Sequence, residues 1–142
     1  MIVEYKPPHK LSVLNMRAGL LPAESGSMNL LDDVISRATI PTETEEKFVY
    51  NSEWLVAAAL TQTYGYMIES GLEYSYLVTI EAFVLIWIKE NDPHTLYYYL
   101  AEPNIEAEAQ SEVNILLCHT AEGQTLTFCL MALDSEPHNQ KW

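Results

Sequence analysis

Apolar, β-branched and aromatic residues are concentrated in short segments along the chain, and such segments favour β-strands. The first segment covers residues 2–6 and is followed by Pro7-Pro8, which favours an extended exit because proline fixes its own φ and keeps its predecessor out of the helical region. Three more segments follow one another in the middle of the chain, at residues 74–79, 82–89 and 95–101, with a turn predicted at 91–94.

Four other segments predict helices. Three of them lie between the first strand and the three later strands, and the fourth follows those strands. Ser12 is a candidate N-cap and Gly19 lies near the end of the first helix, while Gly71 ends the longest one. The predicted helices cover residues 12–20, 28–38, 52–70 and 112–133, the last weakened at Gly123. The order of elements predicts an α/β fold with a mixed β-sheet flanked by helices.

Length and composition predict a single folded domain. The chain has 142 residues with 49% hydrophobic residues and few glycines, which is enough for one moderate core. No linker and no internal repeat divides it. We expect the domain to cover residues 1–133, and residues 134–142 to form a flexible tail.

The charge of the chain is strongly negative and unevenly distributed. Seven basic residues face twenty acidic ones, which gives a formal net charge of −13. Residues 1–40 are balanced, so the excess of carboxylates lies in the remainder. Proteins that grip nucleic acid neutralise several phosphates with Lys and Arg, so unaided binding to nucleic acid is expected to be weak. The acidic bulk suits a basic protein partner or a homo-oligomer.

The remaining composition indicates a reducing compartment. Cys118 and Cys129 are eleven residues apart in a predicted helix, about 16 Å at the rise of an α-helix. A disulfide needs Cα atoms within about 7 Å, so core packing is expected instead. Charged residues interrupt the start of the chain, and the apolar run 82–88 is far too short to cross a bilayer. The sequence predicts an intracellular protein, with nucleus and cytoplasm both open.

The candidate chemistry lies on the first predicted strand. Side chains alternate faces along a strand, so Glu4 and Lys6 are expected to project on the same side. A carboxylate beside an ammonium is typical of metal-dependent phosphodiesterases, in which the acid holds a divalent cation and the lysine orients water and offsets charge on phosphate. The alternative is a solvated ion pair on an edge strand. The same spacing recurs at residues 45–47, where a helix would separate the two side chains.

Much of the chain resembles a known family. The similar segments are residues 4–11, 17–20, 55–64, 66–69, 71–74, 79–85 and 96–104, and the similarity ends near Gln124 and residues 128–133. They resemble a domain of uncharacterised fungal proteins placed in the PD-(D/E)XK nuclease superfamily. The resemblance implies a restriction-endonuclease-like core, a hydrolase ancestry and Mg²⁺ held by Glu4.

The resemblance also indicates which further residues belong to the site. Gln62 and Tyr66 are four residues apart, on one face of the long predicted helix, and resemble a motif of the helicase-associated branch of the superfamily. A purely structural role for both is the alternative. His9 and Lys10 follow the strand and are expected to line the same opening as substrate-binding residues, unless they belong to an exposed turn. Glu81 is a further polar candidate.

Two departures from the superfamily pattern bear on activity. The pattern pairs the Glu-x-Lys strand with an Asp on a preceding strand, and Met1 leaves no room for one, so the core is expected to lack its first elements. Ile80 replaces a glycine of the family pattern. The sequence leaves two functions open. One is a nuclease-like domain that is inactive or weak in this chain, and the other is a non-catalytic acidic interaction module on the same fold.

Overall fold

The computed structural model describes residues 1–20, 27–28, 41–108 and 119–139. In this part of the chain, strands and helices alternate in groups as the sequence predicts. The strands are β1 (Ile2–Tyr5), β2 (Ser27–Met28), β3 (Tyr74–Val78), β4 (Phe83–Lys89) and β5 (Asp92–Ala101). The helices are α1 (Val13–Gly19), α2 (Thr44–Ser70), α3 (Pro103–Glu108) and α4 (Ala121–Asp134).

The strands form one mixed sheet in the order β1-β3-β4-β5-β2. β1 is parallel to β3, as expected for a connection that runs through a long helix, and the other neighbouring pairs are antiparallel. Helices α1 and α2 pack together on one side of the sheet, and α4 contacts β3 on the other. The predicted α/β fold with a mixed sheet and flanking helices is confirmed.

The sheet has two different faces. Along β3 and β4, buried and half-buried residues alternate, so one set of side chains points into the core under α1 and α2. We call this side the inner face and the opposite side the outer face. The largest fully buried apolar side chains of the core are Met16, Leu60, Met67, Leu77, Val84, Ile86, Ile88 and Leu96. The inner face therefore carries the main core.

Helix α1 is fixed at both ends, as the sequence predicts. The Ser12 hydroxyl accepts a bond from the Asn15 backbone N–H, and the Asn15 side chain accepts one from the Ser12 N–H, which completes a capping box. The Asn15 amide also donates to the Ser52 hydroxyl of α2, at 3.0 Å. At Gly19, α1 approaches α2 so closely that a Cβ would lie 2.4 Å from the Ser52 carbonyl oxygen.

Helix α2 is longer than predicted at its start. It begins at Thr44 rather than at residue 52, because Glu45 and Glu46 in the first turn interact favourably with the positive end of the helix dipole. It ends at Gly71, as predicted. Gly71 has φ of +64°, in the left-handed region that glycine adopts without strain.

The structure corrects three other predictions. The turn predicted at 91–94 is shorter, since β5 begins at Asp92, and Pro93 is accommodated where the β4–β5 register shifts. The single helix predicted for 112–133 is wrong at Thr120, whose extended backbone and hydroxyl cap a new helix that begins at Ala121. The strand β2 includes Met28, which was predicted as helical, and the rest of the predicted helix 28–38 lies outside the described residues.

The segment after α4 returns to the sheet. The His138 N–H donates to the Gly71 carbonyl at 2.8 Å, and the His138 imidazole lies 2.7 Å from a Glu73 carboxylate oxygen. The flexibility predicted for residues 134–142, and the domain boundary at 133, stay predictions. In the described ranges, no helix combines the length and the apolar composition that a membrane span requires.

Candidate functional site at strand β1

The two charged residues of the first strand share a face, as predicted. Glu4 and Lys6 point to the inner face towards α2, whereas Val3 and Tyr5 point outward and are 51% and 56% exposed. The Lys6 N–H donates to the Val78 carbonyl at 2.9 Å, so the pairing with β3 continues past the end of β1 and holds both residues rigidly.

A continuous set of hydrogen bonds joins the four residues predicted as the catalytic group. The Lys6 Nζ lies 2.6 Å from Glu4 Oε1 and donates to Gln62 Oε1 at 2.8 Å. The Gln62 Nε2 in turn donates to the Tyr66 hydroxyl at 3.0 Å. One side chain from β1, one from the residue after it, and two from one face of α2 therefore meet at a single point.

Thr63 is a fifth member of this cluster, and the sequence reasoning missed it. Its Oγ1 lies 2.7 Å from Glu4 Oε2 and 3.0 Å from the Ala59 carbonyl, and the residue is fully buried. Thr63 directly follows Gln62, and adjacent residues of a helix point about 100° apart, so the helical spacing that pairs Gln62 with Tyr66 does not by itself select Thr63. A buried threonine in a helix more often bonds only the carbonyl four residues back, so its type alone carries little signal.

The cluster is closed on the strand side and open on the helix side. The side chains of Glu4 and Lys6 are 13% and 19% exposed, whereas Gln62 is exposed at the surface of α2, as is Tyr66. The Tyr66 hydroxyl accepts its bond from Gln62, so its own proton can be donated to a further acceptor. The geometry thus presents a phenol towards solvent, beside an ammonium and a carboxylate that are both largely buried.

The predicted substrate-binding residues do not contact this cluster. His9 and Lys10 are exposed in the turn that Pro7 begins, where the Lys10 N–H donates to the Pro7 carbonyl at 2.8 Å. Within the described ranges, neither side chain bonds to the other predicted site residues. His9 and Lys10 therefore lie in an exposed turn, which is the alternative that the sequence left open. Their role in substrate binding stays a prediction.

Glu81 and Ile80 lie in a tight turn between β3 and β4. The Thr79 hydroxyl bonds the Ala82 backbone and closes the turn. Ile80 has no left-handed backbone, so its replacement of the family glycine causes no strain of that kind. Glu81 acts on Arg17, whose pKa is raised chiefly by its bonds to Glu102 and to a smaller extent by the charge of Glu81.

The cluster offers oxygen ligands of the type that Mg²⁺ prefers, but few of them. Both Glu4 oxygens accept a bond, one from Lys6 and one from Thr63. In the described part of the chain, no group of three or more His, Cys, Asp or Glu residues is arranged to hold a metal ion. Mg²⁺ keeps several waters and uses one or two carboxylates plus substrate oxygens, so Glu4 by itself is an incomplete site.

The fold and cluster define a mixed α/β domain with an anchored carboxylate–ammonium pair at one sheet edge. Comparison with known proteins adds that the profile of the Spore killer 2 N-terminal domain matches residues 1–141. The chain belongs to this family, and its expected likeness to fungal proteins is confirmed.

One curated relative is a much longer protein. The meiotic driver SPOK2 of Podospora anserina is 29% identical to the chain over 139 residues, which cover 95% of this chain and 17% of that protein. The chain therefore corresponds to a small part of the length of that relative. No solved structure matches the chain.

Proposed function

We propose that the chain is a nuclease-like domain of the PD-(D/E)XK type, which is inactive or weak in phosphodiester cleavage by itself. Glu4, Lys6, Gln62 and Tyr66 are its remaining active-site residues. The observation that carries the proposal is their unbroken hydrogen-bonded run, because Lys6 joins the carboxylate of its own strand to the glutamine and tyrosine of α2. A solvated ion pair would not require these two helix residues in register with it.

Each residue has a distinct task in this proposal. Glu4 would hold Mg²⁺, which when bound supplies charge stabilisation at a phosphate oxygen. Lys6 positions water and offsets negative charge on phosphate, while Gln62 fixes its ammonium. Thr63 anchors the second oxygen of Glu4 and so sets the direction of the carboxylate. Tyr66, half exposed, is placed to donate to a phosphate oxygen.

The geometry of β1 suggests where a missing carboxylate would come from. Among the described strands, β1 lies at one edge of the sheet. Since the Lys6 N–H points to β3, the alternation of a parallel ladder turns the backbone groups of Val3 and Tyr5 away from it. An added strand from another segment or subunit could pair with these groups and bring an acid beside Glu4.

The charge distribution favours a second candidate function, a non-catalytic acidic interaction module on the same fold. The net charge of −13 opposes binding to phosphates, and Glu4 is a single carboxylate. In this case the Glu4–Lys6 pair supports the structure of the edge, and the acidic surface binds a basic protein or takes part in a homo-oligomer.

Cleavage assays test whether Glu4 and Lys6 take part in phosphodiester cleavage. Plasmid and single-stranded DNA are incubated with the chain and Mg²⁺ or Mn²⁺, and the rate is compared with those of Glu4→Ala and Lys6→Ala. Lys47→Ala, an exposed lysine at the start of α2, is the control. The nuclease proposal predicts weak, metal-dependent cutting that falls about tenfold or more in both site variants and is unchanged in the control.

The other outcomes are equally informative. Equal cutting by all four proteins would show that Glu4 and Lys6 have no catalytic role. If none of the four proteins cuts DNA under any condition, the chain is inactive by itself, which both candidates allow, and binding of Mn²⁺ at Glu4 then separates them.

A further inference from the structure

A second candidate site lies on the outer face of the sheet, opposite the Glu4 cluster. Tyr74, Trp87 and Tyr97 are direct neighbours across β3, β4 and β5 and form one row of aromatic rings. Phe128 of α4 packs edge-on against Tyr74, with ring centroids 5.5 Å apart. Together with Leu85 and Met131, these rings line a cavity of about 250 Å³.

The aromatic row already holds an ammonium group. The Lys89 Nζ lies 4.1 Å from the centroid of the Tyr97 ring and 5.3 Å from that of Trp87. Aromatic faces carry partial negative charge, so a cation within about 6 Å of a centroid is attracted to them. The position of the lysine therefore indicates that the Trp87 and Tyr97 rings, which line the cavity, attract a cation.

Carboxylates interact with two of the tyrosines that line the cavity. The Glu106 carboxylate lies 3.4 Å from the Tyr99 hydroxyl. Burial raises the pKa of Tyr74, and the nearby charges of Glu73 and Asp134 raise it further. The chain as a whole carries a net charge of −13. When Lys89 leaves the rings, these carboxylates and the global charge both favour a positively charged occupant and oppose an anionic one.

We propose that this cavity binds a small organic ammonium cation. Its alkyl groups would contact the apolar walls, and its charge would lie over the rings of Trp87 and Tyr97. Lys89 competes for the same ring faces in the absence of the ligand. Because Lys89 is at the end of β4, where the register with β5 shifts, its long side chain can move away without disturbing the ladder. The inference does not depend on nuclease ancestry.

Fluorescence titration with choline tests the proposal, and 3,3-dimethyl-1-butanol, which has the same shape without the charge, is the matched ligand. The titrations use a Trp54→Phe/Trp142→Phe background, so that Trp87 is the only tryptophan. Saturable quenching by choline is expected, with the neutral analogue about tenfold weaker. Equal affinities for the two compounds would overturn the cation assignment, since shape alone would then explain binding.

Two substitutions keep the test independent of folding defects. Lys89→Met removes the competing ammonium and preserves the rings, so choline affinity is expected to rise about threefold. Trp87→Leu is expected to lose most of its affinity for choline, measured by calorimetry. Its thermal unfolding curve shows whether the variant is folded. A fall in choline affinity in Lys89→Met would contradict the proposed competition. Binding of an aromatic sulfonate in preference to choline would show that the cavity is an anion site.

Discussion

Replacing Gly19 by alanine is expected to destabilise the domain by about 2–3 kcal/mol. A Cβ at this position would lie 2.4 Å from the Ser52 carbonyl oxygen and 2.8 Å from a Val56 methyl group, and neither α1 nor α2 can give way without moving a backbone. Since α1 covers the inner face beside α2, its displacement would expose Met16 and Leu20. Urea denaturation measures the change in the free energy of unfolding.

Gly65→Ala is the matched control, because the chemical change is identical and the surroundings differ. Gly65 lies inside α2, and apart from its chain neighbours and the backbone of its own helix no atom is within 4 Å of the position of an added Cβ. Alanine is a better helix former than glycine, so this variant is expected to gain about 0.5–1 kcal/mol. A stabilised or unchanged Gly19→Ala protein would show that α1 and α2 are farther apart than described.

Removal of the Glu4 carboxylate is expected to cost about 2 kcal/mol, since it leaves a largely buried ammonium without its ion pair. Lys6 would keep Gln62 as a partner, and Thr63 would keep the Ala59 carbonyl. The loss is therefore smaller than for a fully buried pair. The measurement is the free energy of unfolding of Glu4→Ala.

A double-mutant cycle separates the pair from the individual side chains. Glu4→Ala and Lys6→Ala, alone and combined, are expected to show a coupling of about 1–2 kcal/mol. The Arg17–Glu102 pair at the surface is the comparison, and its coupling is expected to be clearly smaller, because solvent screens an exposed pair. A coupling near zero for Glu4 and Lys6 would indicate that they do not form the described contact.

Local patterns in the sequence predict which side chains of the site share a face of their own strand or helix. The period of two in a strand places Glu4 and Lys6 on one face of β1. The spacing of four in a helix places Gln62 and Tyr66 on one face of α2. That the strand side chains face the helix side chains follows from the parallel pairing of β1 with β3 through α2. Such a crossover packs its helix against the sheet face, so local rules and the topology agree here.

Other features depend on contacts between distant residues and could not be read from local patterns. Thr63 matters because Glu4, 59 residues earlier, lies within 2.7 Å of it. The aromatic row on the outer face joins residues of three strands, and the register that aligns Tyr74, Trp87 and Tyr97 is a property of the folded sheet.

The two faces of the sheet therefore carry two separate candidate sites. The inner face positions a carboxylate and an ammonium under α2, and the outer face presents aromatic rings under α4. A substitution at one site is expected to leave the other intact, since the backbone of the sheet lies between them. The nuclease proposal and the cation-site proposal can therefore be tested independently of each other.

Mn²⁺ titration followed by NMR tests the central claim most directly, because a paramagnetic ion broadens the amide signals near its binding site. Broadening is expected at Glu4, Lys6 and Gln62, it should vanish in Glu4→Gln, and it should appear at lower Mn²⁺ concentration in Gln62→Glu. The last variant adds an isosteric carboxylate where Gln62 Oε1 lies 2.8 Å from Lys6 Nζ. Broadening centred on other acidic residues, and identical in all three proteins, would contradict a metal site at β1.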